Sequence, residues 1–122
     1  MRNSVIKYYE EGLPCAQCLI RSASEKYAFS ADKPLMDAFS ALSGGLGCGL
    51  FCGAGIAAIA IFGILFEETV AMELTIAFLT DFNAEYKTFD CCKIRNTDCL
   101  KALIYVSDKI EELIEQGEED FA

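Results

Sequence analysis

Residues 38–66, AFSALSGGLGCGLFCGAGIAAIAIFGILF, decide the fold because this stretch carries no charged residue over 29 positions. Seven of the nine glycines of the chain lie in it. Residues 44–47, Gly-Gly-Leu-Gly, predict a break, since glycines so close together favour an open or closely approached backbone. Residues 51–66 predict a glycine-rich central helix that is buried on all sides in a helical bundle, with residues 39–49 leading into it.

A membrane span is the alternative interpretation of the same stretch. A span needs about 20 apolar residues, and residues 46–66 have that length, with small residues of the kind that membrane helices also use. The buried helix is favoured, because a single span would leave no large partner domain and has no basic flank to orient it. Glu67 and Glu68 follow the stretch at once. We therefore predict that membrane association is absent.

Capping and breaking residues predict three helices on the N-terminal side of this stretch. The signals are Asn3 or Ser4 with Gly12 for the first helix, Pro14 with an end near Phe29 for the second, and Asp32 with Pro34 for a short third helix.

On the C-terminal side, residues 69–87 predict an amphipathic helix, with Val70, Leu74, Phe78 and Phe82 among its apolar positions. Residues 88–95 show no periodicity and predict a connector. Asn96 or Thr97 then caps a last helix whose inward stripe is Cys99, Leu103, Val106, Ile110 and Leu113. The acidic run after Asp108 is predicted to be a solvated helix end without a role in a site.

The fold class that follows is all-α, a compact helical bundle formed by residues 1–122 as one domain. The chain has 122 residues, and no strand-like alternation of useful length occurs in it. Ten Lys and Arg oppose nineteen Asp and Glu, which gives a net charge of −9 and argues against nucleic-acid binding. The chain has no His, so catalytic triads with His and His-ligated zinc sites are excluded within one subunit.

Seven cysteines carry the remaining chemistry. The N-terminus has basic residues but no apolar signal core, so we expect the protein in the reducing cytoplasm. Cysteines there favour catalytic, redox or metal-binding thiols over structural disulfides. The high apolar content of 53% also makes a homodimer an expected arrangement, since association would cover exposed apolar patches.

Cys15-Ala16-Gln17-Cys18 is a C-x-x-C motif directly after Pro14. Backbone N–H groups and the dipole at a helix start stabilise a thiolate, so Cys15 is the best placed nucleophile. Two small core residues on one helix face are the alternative. Leu19 stands where covalent haem attachment requires His, which excludes that signature.

The other cysteines allow both functional and packing interpretations. Cys48 and Cys52 are four residues apart and share a face if they are helical. Cys91 and Cys92 are adjacent, so only one of them is expected to join a common site. Cys99 lies one turn into the predicted last helix, where a cysteine is often a small hydrophobic residue.

The order of these residues resembles a known family. Cys15, then residues 44–47 leading to Cys52-Gly53-Ala54, then Cys91 or Cys92, then Cys99 are similar to the family named for its C, GCAxxG, C, C pattern, which is described as redox-active. The resemblance implies a small, all-helical protein with four hallmark cysteines, here Cys15, Cys52, Cys91 (with Cys92 as the rival) and Cys99. The glycine that would end the GCAxxG motif is Ala57 in this chain, and Gly55 stands two places earlier.

Two functions remain open at this point. The first is a thiol redox or electron-transfer protein, in which Cys15 reacts with a partner protein or small thiol and Cys52 or Cys99 resolves the mixed disulfide. The second is a binding protein whose thiolates hold an iron–sulfur cluster or a soft ion such as zinc or copper(I). Its ligands would be Cys15, Cys52, Cys91 and Cys99, and Cys18, Cys48 and Cys92 extend either site. The third hypothesis is a helical interaction protein in which all seven cysteines serve only as packing residues.

Overall fold

Helices form nearly all the regular structure in the part of the chain that the computed structural model describes. That part is residues 1–42 and 51–121, without the side chains of residues 91, 92, 94–98 and 119–121. The helices are α1 (Arg2–Glu10), α2 (Cys15–Tyr27), α3 (Lys33–Ala38), α4 (Gly53–Leu65), α5 (Glu68–Tyr86) and α6 (Cys91–Phe121). Within the described ranges the chain contains no strand beyond one isolated bridge. The predicted all-α bundle is therefore confirmed.

Several helix ends follow the capping signals in the sequence. Pro14 is the residue before α2, as predicted. The Asp32 carboxylate accepts a hydrogen bond from the backbone N–H of Leu35 at 3.1 Å and so caps α3. Glu67 caps α5 in the same way, by accepting from the backbone N–H of Val70 at 3.0 Å. Side-chain caps therefore begin α3 and α5.

The last helix begins earlier than predicted. α6 starts at Cys91, so the connector predicted over residues 88–95 is wrong in its second half, and Asn96 and Thr97 lie inside the helix. Asp90, a residue type that favours helix starts, precedes it directly, and its carbonyl oxygen accepts from the backbone N–H of Lys93 at 3.1 Å. The predicted inward stripe of Leu103, Val106, Ile110 and Leu113 is confirmed as buried, and Cys99 is half-buried.

The apolar stretch forms the 13-residue α4, which packs against α2, α5 and α6. Ala57, Ala58 and Ile61 are fully buried in it. The predicted burial on all sides does not extend along the whole of α4. Its three neighbouring helices leave one side open, and the Ile64 side chain is 41% exposed. The predicted break at residues 44–47 lies outside the described residues.

In residues 1–42 and 51–121, no helix combines the length and the apolar character that crossing a membrane requires.

α4 and α6 run in the same direction. The backbone of Phe51, just before α4, pairs with that of Asp90, just before α6. Toward the other ends of the two helices, a Cβ built on Gly117 of α6 would lie 3.4 Å from the Phe66 ring, which follows α4. The N-terminal ends of α4 and α6 therefore lie at one end of the bundle.

α2 also runs in this direction. Near its start, Cys18 interacts electrostatically with Cys99 of α6. Near its end, Lys26 forms an ion pair with Glu111, further along α6. The N-terminal ends of α2, α4 and α6 thus meet at the same end of the bundle, which we call the cysteine end.

The opposite end holds a network of ion pairs, and we call it the charged end. The N-terminal amine of Met1 lies 2.9 Å from a Glu111 carboxylate oxygen, and Lys26 contacts the other oxygen of that carboxylate. Arg2 pairs with Asp108 beside it. Glu111, in the second half of α6, therefore joins the start of α1 and the end of α2 to α6, so the prediction that the acidic run is only solvated is wrong at this residue.

Candidate functional site

Three of the four hallmark positions stand at helix starts at the cysteine end. Cys15 is the first residue of α2, Cys52 is the residue before α4, and Cys91 is the first residue of α6. Cys99 follows two turns into α6. Helix starts present backbone N–H groups without intrahelical acceptors, which is a setting that favours negative charge. The fold thus gathers these positions by running three helices in parallel.

The Cys15-Ala16-Gln17-Cys18 motif occupies the first turn of α2. The backbone N–H of Cys18 donates to the carbonyl oxygen of Pro14 at 2.9 Å, which closes that turn. Cys15 is half-buried, whereas Cys18 has no exposed surface. The Cys18 thiol donates to the carbonyl oxygen of Leu13 at 3.2 Å. The motif therefore presents one accessible and one buried thiol.

The sulfur atoms of α2 and α6 influence one another electrostatically. Burial, as the largest cause, and then the charges of Cys15 and Cys99 raise the pKa of the Cys18 thiol to about 12. At neutral pH Cys18 is therefore a protonated thiol. The contributions of Cys15 and Cys99 mean that both lie within electrostatic range of Cys18, so three predicted site residues are brought together.

Cys52 is held against the segment that precedes α6. Its side chain is buried, at 6% exposure, and its backbone N–H donates to the carbonyl oxygen of Phe89 at 2.8 Å. The rings of Phe51 and Phe89 stack with centroids 5.3 Å apart, and the ring of Phe82 stacks with that of Phe89 at 5.9 Å. We call these three stacked rings the ladder. This ladder fixes the start of α4 beside the start of α6.

The glycine shift noted in the sequence has a packing explanation. A Cβ built on Gly55 would lie 3.2 Å from the Phe51 ring, so the absence of a side chain there makes room for the ladder. Ala57 stands where the family motif has Gly, and its side chain is fully buried. The close approach that glycine allows is therefore needed at residue 55.

The structure describes the other predicted site residues only in part. Cys48 lies outside the described residues, and for Cys91 and Cys92 the structure describes the backbone position in α6 and not the side chains. Among the described side chains, no group of three or more His, Cys, Asp or Glu residues is arranged so that it could hold a metal ion. These side chains also form no disulfide with one another.

Sequence reasoning missed the role of the aromatic residues around the site. Phe51 directly precedes Cys52, and Phe89 lies two residues before Cys91. An aromatic residue one or two positions before Cys52 and Cys91 is the signal that was available. The sequence does not show that the two rings contact each other, because a contact between residues 51 and 89 depends on how α4, α5 and α6 fold together.

Comparison with known proteins adds one finding on the family. A family model described as "Putative redox-active protein (C_GCAxxG_C_C)" matches residues 13–116. Comparisons with curated proteins and with solved structures give no significant match. The family model spans α2 to most of α6 and includes every cysteine of the chain. The chain therefore belongs to the C_GCAxxG_C_C family of redox-active proteins.

Proposed function

We propose that the protein is a thiol–disulfide redox carrier that works at the cysteine end. Its reactive group is the Cys15 thiol, which attacks a disulfide in a small molecule or a partner protein and forms a mixed disulfide. The observation that carries this proposal is that Cys15 and Cys99 both lie within electrostatic range of Cys18. Thiols so grouped can exchange bonds without unfolding the chain.

Access supports Cys15 as the group that meets the partner. It is half-buried at the start of α2, whereas Cys18 and Cys52 are buried. The first turn of α2 leaves backbone N–H groups without intrahelical acceptors at this position. A reagent that approaches the cysteine end therefore meets Cys15 before either buried thiol.

Cys52, Cys91 (with Cys92 as its rival) and Cys99 complete the proposed site. Cys52 is fixed through Phe89, and Cys91 begins the helix that carries Cys99. In this proposal these thiols lie around Cys15 at the cysteine end. The redox partner is a protein or a small thiol.

The test uses the reduced protein, purified without oxygen and treated with one equivalent of oxidised glutathione. We expect rapid release of reduced glutathione from the wild-type protein and at least a 100-fold slower reaction for Cys15→Ser. The folded fraction of both proteins, followed by circular dichroism, should stay equal, because the substitution is nearly isosteric and lies at a helix start.

Metal and sulfide analysis of the same preparation tests the competing function. A colourless preparation without bound metal that still reacts at Cys15 supports the redox carrier. Stoichiometric iron and sulfide, zinc or copper, together with a marked loss of thermal stability in Cys15→Ser, would instead support the binding protein with thiolate ligands.

A further inference from the structure

We propose, resting on the redox function above, that Cys18 is the resolving thiol, which forms a disulfide with Cys15 after Cys15 has reacted. Cys18 is not one of the four positions that the family pattern carries. The proposal therefore adds a fifth cysteine to the reaction and makes the first turn of α2 its dithiol.

The first argument is the distance within one helix turn. Side chains three residues apart on a helix have Cβ atoms about 5–6 Å apart, and a disulfide needs about 3.8 Å. The remaining 1–2 Å can close at Cys15, because the first residues of a helix donate no intrahelical backbone hydrogen bond. Closing the pair therefore leaves the body of α2 in place.

The rival thiols belong to other helices. Cys99 lies on α6, and α2 is joined to α6 at the charged end by the ion pair of Lys26 with Glu111. Cys52 is held at the start of α4 by its backbone hydrogen bond to Phe89. A bond from Cys15 to either residue would join two separately packed elements, whereas a bond to Cys18 stays within one turn of α2.

The second argument is the difference in environment between the two thiols. Cys15 is half-buried, so a partner disulfide can reach it, whereas Cys18 has no exposed surface and donates its S–H to Leu13. The pKa of Cys18 is raised in part by the charge of Cys15. That contribution disappears once Cys15 is in a mixed disulfide, because the bonded sulfur carries no charge. Cys18 is thus more easily ionised when it is needed.

The reaction balances as two exchanges. In the first, the Cys15 thiolate attacks a disulfide R–S–S–R and forms the bond Cys15–S–S–R, while one R–S⁻ leaves. In the second, the Cys18 sulfur attacks the Cys15 sulfur and its proton passes to the departing sulfur, so that the second R group leaves as R–SH. Two thiols of the protein are oxidised and one disulfide of the partner is reduced.

The experiment maps the products of reduced protein with one equivalent of oxidised glutathione by peptide mass spectrometry. It compares the wild-type protein with Cys18→Ser, which keeps a donor for the Leu13 carbonyl, and Cys18→Ala. Cys99→Ala tests the rival resolving thiol, since Cys99 is the other cysteine whose charge acts on Cys18. Circular dichroism before the reaction establishes that each variant is folded.

We expect a Cys15–Cys18 disulfide in the wild-type protein and in Cys99→Ala. Both Cys18 variants should instead accumulate the glutathione adduct on Cys15, at least tenfold above the wild-type level. A wild-type bond from Cys15 to another cysteine, or an adduct trapped by Cys99→Ala and not by Cys18→Ser, would overturn the role of Cys18 and leave the redox function intact. No reaction at Cys15 in any variant would refute both.

Discussion

The two ends of the bundle are held together by different forces. At the charged end, Glu111 binds the Met1 amine and Lys26 through ion pairs that remain partly open to water. At the cysteine end, aromatic stacking and one backbone bridge join the starts of α4 and α6. Partly exposed ion pairs contribute little and weaken with salt, whereas each aromatic pair contributes about 0.5–1.5 kcal/mol and is insensitive to salt.

This difference suggests that the two ends have different tasks. The cysteine end carries the thiols, and the ion pairs at the charged end hold helices together. Apolar packing can hold thiols at set positions without introducing cations that would pair with them. Ion pairs at the opposite end tie α1 and α2 to α6 without reaching the sulfur atoms. Each prediction below disturbs one end and asks whether the other end responds.

The largest effect should come from Phe82→Ala. Phe82 is 1% exposed and contacts the rings of Phe78, Tyr86, Phe89 and Tyr105. Removing it should lower the free energy of unfolding by about 3–5 kcal/mol, because the ladder loses its support and a cavity remains. Urea denaturation measures the loss. Met72→Ala on the same helix is the control, since Met72 is 59% exposed and should change stability by less than about 0.5 kcal/mol.

The second prediction concerns alkaline pH and the buried thiol. The pKa of Cys18 is raised from 9.0 to about 12, so folding favours the neutral thiol. The stability that this contributes is fully present below about pH 9 and is lost as pH rises toward 12. Denaturation under reducing conditions should show a smaller alkaline loss for Cys18→Ala than for the wild-type protein.

Tyr27 provides the internal control for this alkaline experiment. Burial, followed by the nearby glutamates, raises the pKa of Tyr27 from 10.0 to about 12, and it lies at the charged end. Its contribution has the same sign and remains in Cys18→Ala. Equal pH dependence of stability in the wild-type protein and Cys18→Ala would show that burial does not raise the pKa of Cys18. That result would contradict the environment described for this thiol.

A smaller effect is expected from Glu111→Gln at the charged end. Burial opposes ionisation of Glu111, but hydrogen bonds from Lys26 and the Met1 amine lower its pKa overall. The variant should lose about 1 kcal/mol at neutral pH and low salt. Because the folded pKa is lowered, the difference from wild type should vanish as pH falls below the ordinary value of 4.5. Glutathione exchange at Cys15 should not change, and a tenfold change would mean that the two ends are coupled.

The smallest effects separate two glycines of α4. A Cβ at Gly63 would meet nothing within 4 Å, so Gly63→Ala should stabilise the protein by about 0.5–1 kcal/mol through helix propensity. At Gly55 the same Cβ would press on Phe51 at 3.2 Å, so Gly55→Ala should lose that gain and disturb the ladder. Thermal melting of both variants tests this, and equal stabilisation would argue against a tight fit at Phe51.

Sequence patterns predicted the helices well where the signal is local. Asp32 and Pro14 mark helix starts because capping depends on neighbouring residues, and the stripe from Leu103 to Leu113 follows from helical spacing. The start of α6 was placed too late, since residues 91–95 lack an apolar period. A helix begins there because the Asp90 carbonyl oxygen accepts from the backbone N–H of Lys93 and closes the first turn.

The site was predicted only as a set of cysteines. The thiol positions could be taken from the sequence and the family resemblance, but which thiol is buried depends on contacts between helices. The sequence identifies Cys15 as the thiol at the helix start, but the burial of Cys18 follows only from the packing of α2 against its neighbours. The contact of Glu111 with Met1 is likewise not visible in the sequence, because the two residues are at opposite ends of the chain.

The most direct test counts thiols by alkylation and intact mass after reduced protein reacts with one equivalent of oxidised glutathione. The chain has seven cysteines, so the account predicts that two thiols disappear from the wild-type protein without any added glutathione mass. Cys15→Ser should keep all its remaining thiols under the same conditions. A wild-type protein that keeps its seven thiols, or a Cys15→Ser protein that also loses two, would contradict the central role of Cys15 and its neighbour.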